Sequence, residues 1–376
     1  MAPRIRGYAR RVTEYQEVVA NTGWDPADFR DGIEACAQSF IDSQAAWIAD
    51  LGEDARRLVE HARVSVSGGK RFRAAFCWWG YLAIGEPASD GESAALLRAC
   101  ASLELLHASA LVHDDFMDAS DVRRGRPATH RAFETLHRER EWSANATQYG
   151  AAAAILLGDL LLSWSDELLR TCGLPAERVL DALRYFDLTR TEVVAGQFLD
   201  VSAQARGTTD VEMAMQVVRY KSAKYSIERP LHIGAALAGA TPEAISALSD
   251  FGLPLGEAFQ LRDDLLGVFG DPDVTGKPAG DDLVEGKRTV LIALALNGLG
   301  PEDRDHLDRS LGRSLTEVEV GELRALIRTS GAEQQVEDMI TDLTGRALAA
   351  LEAAVVRDDA REVLRELADA ATQRGF

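Results

Sequence analysis

From about Asp31 to the C-terminus, apolar residues return every three or four positions, and the residues that would interrupt such a pattern are gathered at a few points. That spacing places one apolar stripe along a helix of 3.6 residues per turn, whereas a strand needs strict alternation. Ala and Leu dominate the stretches between breaks and β-branched alternation is scarce, which also favours helix. Breaks are predicted at Gly85-Glu86-Pro87, Gly125-Arg126-Pro127, Gly207, Gly239 to Pro242, Gly270 to Gly286 and Gly298 to Pro301, where glycine and proline end helical runs. The expected fold class is therefore all-α. With 376 residues, 46% of them hydrophobic, the chain can bury a large core. Residues 1–30 read as a loosely ordered leader and residues 31–376 as one all-helical domain.

Charge narrows the range of partners. The net charge is −19, with 60 acidic residues against 41 basic ones, so a nucleic-acid partner, which is held by surplus Lys and Arg, is not expected. Carboxylates do not hold phosphorylated small molecules directly, but they hold divalent cations that do. Cys36, Cys77, Cys100 and Cys172 lie far apart with no CxxC spacing, which predicts neither a zinc site nor a disulfide framework and fits a cytoplasmic setting. Arg4, Arg6, Arg10 and Arg11 precede no apolar core, and no later stretch offers the roughly 18 uncharged residues of a membrane span. No stable membrane insertion is expected.

The first informative segment is Ser102 to Asp118, SLELLHASALVHDDFMD. It lacks glycine and proline, so a helix is expected, and Asp114 and Asp118 then project from one face with Asp115 offset beside them. A solvated acidic helix end fits the same pattern, and this motif alone does not decide. A second signal comes at Phe259 to Phe269, FQLRDDLLGVF, where Asp263 and Asp264 sit in another apolar run with Gln260 one turn earlier. Adjacent aspartates in apolar surroundings suffer repulsion and desolvation unless a cation lies between them, as in a magnesium site. The chain also has 36 arginines but only five lysines, Lys70, Lys221, Lys224, Lys277 and Lys287. They are expected in loops and at helix ends. Lysines retained in an arginine-rich chain point to anion contacts, because a compact ammonium acts as a point charge on a diphosphate.

Taken together, GGKRFR, DDFMD followed by DVRRGRP, FQLRDD and GKPAGDDLVEGKRT resemble, in order and spacing, the motifs of trans-isoprenyl diphosphate synthases over roughly residues 60 to 296. The resemblance implies a helical bundle of the isoprenoid-synthase type around a central apolar cavity, usually paired as a homodimer. It implies that Asp114, Asp118 and Asp263 bind magnesium, three Mg²⁺ ions in all, with Asp115 and Asp264 in support. Arg123, Lys221, Ser222, Gln260, Lys277 and Lys287 would then surround the allylic diphosphate. Lys70, Arg73, His107 and Arg124 would hold isopentenyl diphosphate. One departure stands out: Gly267 occupies the place of a third aspartate in the second motif, and Asp271 is the nearest acid that could compensate.

Product length is expected to depend on the first-motif helix below its aspartates, since one helical turn of roughly 5.4 Å is comparable to one isoprene unit. Ser109 and Ala110, five and four residues before Asp114, are small. Leu106 and then Leu103 would form the floor, which predicts geranylgeranyl diphosphate, C20. Other readings are available. Glu104-x-x-His107 and Glu134-x-x-His137 match the Glu-x-x-His pattern of di-iron bundles, Asp271 to Gly276 opens like a calcium loop, and a catalytically silent regulatory subunit would carry the same helices.

Overall fold

The computed structural model describes residues 25–270 and 280–373. In chain order its helices are α1 (Pro26–Ile48), α2 (Glu53–Val66), α3 (Phe72–Leu82), α4 (Asp90–Met117), α5 (Thr129–Glu139), α6 (Ala146–Arg170), α7 (Ala176–Arg206), α8 (Val211–Val217), α9 (Arg229–Leu237), α10 (Pro242–Phe269), α11 (Asp281–Glu285), α12 (Val290–Gly298), α13 (Pro301–Ser310), α14 (Glu317–Thr329), α15 (Ala332–Ala353) and α16 (Asp358–Thr372). A 3₁₀ turn, Ala49–Leu51, follows α1, and a π-helical segment, Val218–Glu228, joins α8 to α9. The only strands among the described residues are the two-residue β1 (Val122–Arg123) and β2 (Arg126–Pro127), which form a small hairpin. The all-α expectation is borne out. Helix α1 begins at Pro26, inside the span read as a leader; most of that span lies outside the described residues.

Local chemistry explains most helix starts. Asp25, Ser89, Asn145, Asp210, Thr241 and Thr289 each accept a backbone N–H of the first turn that follows them. Thr316 and Glu319 form a reciprocal capping box at α14. Each such cap is worth about 1 kcal/mol. Pro26, Pro242 and Pro301 stand at first-turn positions, where a missing N–H costs nothing.

The chain divides into two compact units. The first comprises residues up to Asp121, Pro127–Leu183 and Ile233–Ala240. Helix α4 is its centre, packed against α1, α3 and α6, and Leu96, Leu97, Leu103, Leu105, Phe76, Trp78, Leu157 and Leu161 fill the space between them. Burying one such side chain contributes roughly 2 kcal/mol. By length and hydropathy α4 could cross a membrane, but 78% of its most apolar stretch is buried in the protein, so it is a core helix. All four cysteines are free thiols buried in this unit. They lie far apart in sequence, yet the Cys77 side chain reaches Cys100, and burial together with Cys77 pushes the Cys100 thiol well above its ordinary range. Such a thiol stays protonated and inert.

The second unit comprises Val122–Arg126, Arg184–His232 and Thr241–Phe376. Helix α10 is its centre, with α15 and the π segment packed along it. Its core includes Leu261, Leu265, Val268, Leu291, Ile292, Leu296, Ile327 and Val336. Arg262 of α10 donates a two-armed bond to Glu337 of α15, at 2.5 and 2.7 Å, and a third bond to the carbonyl of Thr372 at 2.9 Å. The C-terminal helices therefore fix the residue that precedes Asp263.

Candidate active site

In the first unit, Asp114 lies one turn before the end of α4 and Asp118 is its C-cap, both half-buried, with Asp115 buried beside them. The expected shared face for Asp114 and Asp118 is present. Helix α6 comes close to this end of α4: a Cβ built on Gly158 would fall 2.1 Å from the Nε2 of His113. That same Nε2 lies 3.3 Å from the carbonyl of Ile155 and 3.5 Å from Asp159. The absent side chain at 158 thus lets α6 hold the residue preceding Asp114. Lys70 is exposed in the turn before α3, Arg73 is half-buried in the first turn of α3, and His107 is half-buried on α4. Ser109, Leu106 and Leu103 are buried on α4, and Ala110 is half-buried.

The second unit carries the other set. Asp263 is half-buried on α10 and Asp264 is fully buried. Burial first, then the carboxylates of Asp282 and Asp263, push the Asp264 carboxyl up to about 8, against the opposing pull of the Gln260 amide and Lys287. Gln260 donates to Asp264 at 2.7 Å. A carboxyl raised by its own neighbours is returned to the ionised form by a nearby cation, so the donor chemistry fits a hard divalent ion. Among the described residues no three His, Cys, Asp or Glu side chains converge on one metal-sized space. Magnesium takes one or two carboxylates and completes its shell with water and substrate oxygens.

Gly267, the residue in place of a third aspartate, has a structural reason. A Cβ there would fall 1.9 Å from the Oδ2 of Asp282, so Asp282, from α11, already fills the position. Asp271, the compensating acid expected from the sequence, lies outside the described residues, as do Lys277 and the calcium-like run from Asp271 to Gly276.

Two of the lysines are not where the sequence placed them. Lys221 and Lys224 sit in the interior of the continuous α8–π–α9 helix rather than in a loop or at a helix end. No glycine or proline lies within the widened turns, and Pro230 follows them at the start of α9. The neighbouring helices pack closely on this segment: a Cβ on Gly196 of α7 would fall 2.3 Å from the Lys221 nitrogen, and one on Gly256 of α10 would fall 2.6 Å from the Ala223 carbonyl. The absent side chains at those two points let α7 and α10 approach the segment closely. Long π segments are rare and cluster at functional sites. Lys221 pairs with Asp200 at 2.6 Å, Lys224 with Glu192 at 2.9 Å, and Lys287 with Glu285 at 2.5 Å and Asp282 at 3.2 Å. Ser222 is half-buried next to Lys221. Arg123 is half-buried and Arg124 exposed on the β1–β2 hairpin, whose turn uses left-handed backbone at Arg124 and Gly125.

The di-iron alternative fails on geometry. Glu104 accepts from Arg71 at 2.9 Å. Glu134 accepts from Arg131, Arg138 and Thr147 at 2.6–2.9 Å, and the His137 Nε2 lies 2.9 Å from the carbonyl of Ser143. Glu134 and His137 are thus committed to protein partners, as is one carboxylate oxygen of Glu104. Sequence reading missed Asp200 and Asp282 as partners of the lysines, because nothing local distinguishes them from the many other acids.

Comparison with known proteins gives a consistent picture. Residues 55–329 match the family described as polyprenyl synthetase. A geranylfarnesyl diphosphate synthase of Natronomonas pharaonis is 33% identical over 77% of this chain and 78% of that protein. A geranylgeranyl diphosphate synthase of Mycobacterium tuberculosis is 32% identical over 78% of this chain and 77% of that one. Among solved structures, geranylgeranyl pyrophosphate synthase from Corynebacterium glutamicum, complexed with isoprenyl diphosphate and magnesium, superposes with a TM-score of 0.91 at 41% identity. The match covers 94% of this chain and 100% of that one.

Proposed function

Because the chain belongs to the polyprenyl synthetase family and is a prenyltransferase that makes prenyl diphosphates, we propose that it condenses isopentenyl diphosphate head to tail with allylic diphosphates and stops at geranylgeranyl diphosphate, C20. The observation that carries this reading is the first-motif helix, with two aspartates one turn apart above the small pair Ser109 and Ala110 and the buried Leu106 and Leu103.

In this reading Asp114, Asp118 and Asp263 are the divalent-cation ligands and Asp115 and Asp264 support them. Bound there, magnesium, three ions by analogy with the family, would supply positive charge to the allylic diphosphate. Lys221, Lys277, Lys287 and Arg123 add cationic charge to the same leaving group, with Ser222 and Gln260 as hydrogen-bonding partners. Lys70, Arg73, His107 and Arg124 bind isopentenyl diphosphate. The allylic C–O bond breaks with its electron pair on the departing diphosphate. The isopentenyl double bond then supplies the electrons of the new C–C bond, and a proton leaves to the released pyrophosphate. Catalysis in this reading comes from positioning and charge rather than from a protein nucleophile.

The floor assignment has a direct test. Ala110→Phe places an aromatic ring four residues before Asp114, where the growing tail must pass, and the product is expected to shift from C20 to C15 or shorter with the reaction retained. Product chromatography reads it; an unchanged C20 profile removes this account of the floor.

The protein is proposed to work as a homodimer. Val194, Phe198 and Val201 form a stripe along α7, and Phe198 is 71% exposed. Exposed apolar stripes of this kind mark interfaces. A monomer mass in sedimentation at micromolar concentration would remove the pairing.

A further inference from the structure

Arg71 is held in a conformation and an environment that the fold alone does not require. It follows Gly68 and Gly69, whose φ values are 73° and 103°, and itself adopts a φ of 57°, the left-handed region that a side chain enters only at a cost. Its guanidinium is buried, with the residue 4% exposed. It donates to the Val66 carbonyl at 2.6 Å, to Glu104 Oε2 at 2.9 Å and to Glu34 Oε2 at 3.3 Å. Glu34 Oε2 also accepts from the Gly68 backbone N–H at 3.2 Å. Glu104 is 3% exposed, and its second oxygen, Oε1, is buried with no hydrogen-bond partner.

A buried Arg–Glu pair gives little stability that well-packed apolar side chains would not give. Backbone strain that the surroundings enforce points instead to a functional constraint. The neighbours indicate which one. Lys70 precedes Arg71 and Arg73 lies two residues after it, while His107 is three residues beyond Glu104 on α4 and so close to the same face. All of these residues belong to the first unit.

We propose that Arg71 is a positioning residue for isopentenyl diphosphate. Its clamp on Glu104 ties the Gly68–Arg73 turn to α4, so that Lys70, Arg73 and His107 are set as one cradle before the substrate arrives. The clamp serves this diphosphate and not the allylic one. The proposal rests on the assignment of Lys70, Arg73 and His107 made above.

The test is steady-state kinetics with each substrate varied separately, using the double variant Arg71→Met/Glu104→Leu, which leaves neither charge buried and unpaired. The single variant Arg71→Lys, which keeps the charge but loses the fork, and Lys70→Ala serve alongside. The KM for isopentenyl diphosphate is expected to rise about tenfold or more in the double variant. The allylic KM and kcat at saturation should stay within about threefold, and Arg71→Lys should fall between. An unchanged isopentenyl KM in the double variant while Lys70→Ala raises it overturns the positioning role and leaves the site assignment standing. Equal losses for both substrates together with kcat, in the double variant or, should that one not fold, in Arg71→Lys, show a merely structural pair and also overturn it. An unchanged isopentenyl KM in Lys70→Ala removes the underlying assignment and the proposal with it.

Discussion

Replacing Asp114 by asparagine is expected to lower kcat/KM by about 10³-fold while leaving the helical signal intact. Asparagine has the shape of aspartate but lacks its charge, so the change removes one proposed cation ligand with little change in side-chain volume. Stability should move in the opposite direction to activity. Asp114 and Asp118 are like charges one turn apart near the end of α4, and relieving such a pair contributes roughly 0.2–0.5 kcal/mol. A variant that is inactive and at least as stable as the parent identifies a residue kept for chemistry. A variant that loses activity in step with its thermal midpoint would instead place Asp114 among the structural side chains.

Restoring the third aspartate of the second motif, Gly267→Asp, is expected to damage the enzyme rather than improve it, with kcat/KM falling about 10²-fold or more. The reason is steric before it is electrostatic. Asp282 already fills the space next to position 267, so a Cβ there would lie 1.9 Å from its carboxylate oxygen, and α10 and α11 would have to separate. The added charge would also join Asp263, Asp264 and Asp282, where burial and repulsion already push the Asp264 carboxyl up to about 8. Gly267→Ala isolates the steric part and should account for most of the loss. Activity equal to or above the parent in Gly267→Asp would show that Asp282 does not stand in that place in the working enzyme.

The helices and breaks were legible because they rest on local rules. Apolar spacing, the Gly85 to Pro87 and Gly298 to Pro301 breaks and the caps at Ser89, Thr241 and Thr316 depend on residues within one turn of each other. The two aspartate motifs were legible for the same reason. What stayed hidden were the pairings made across tens of residues. Glu104 drew attention as half of a Glu-x-x-His pair, yet its partner, Arg71, is 33 residues away in sequence and no local pattern joins them. Lys221 was expected in a loop or at a helix end, yet it lies inside a continuous helix. The π segment that holds it packs against the bare surfaces of Gly196 and Gly256, which belong to other helices. The glycine at 267 looked like a defect in a motif, and only the position of Asp282 explains it. The cysteines show the same limit: their spacing argued against a disulfide framework, and all four are free thiols, but it gave no sign that folding brings the side chains of Cys77 and Cys100 together.

The central claim is that this chain elongates allylic diphosphates with isopentenyl diphosphate and releases a C20 product in a reaction that needs a divalent cation. The most direct measurement is to incubate the purified protein with isopentenyl diphosphate and, in separate reactions, C5, C10 and C15 allylic diphosphates, with Mg²⁺ or with EDTA, and to resolve the products by chain length. The account predicts geranylgeranyl diphosphate with Mg²⁺ and no product with EDTA. Elongation that persists in EDTA, or no elongation from any primer with Mg²⁺ present, would contradict it.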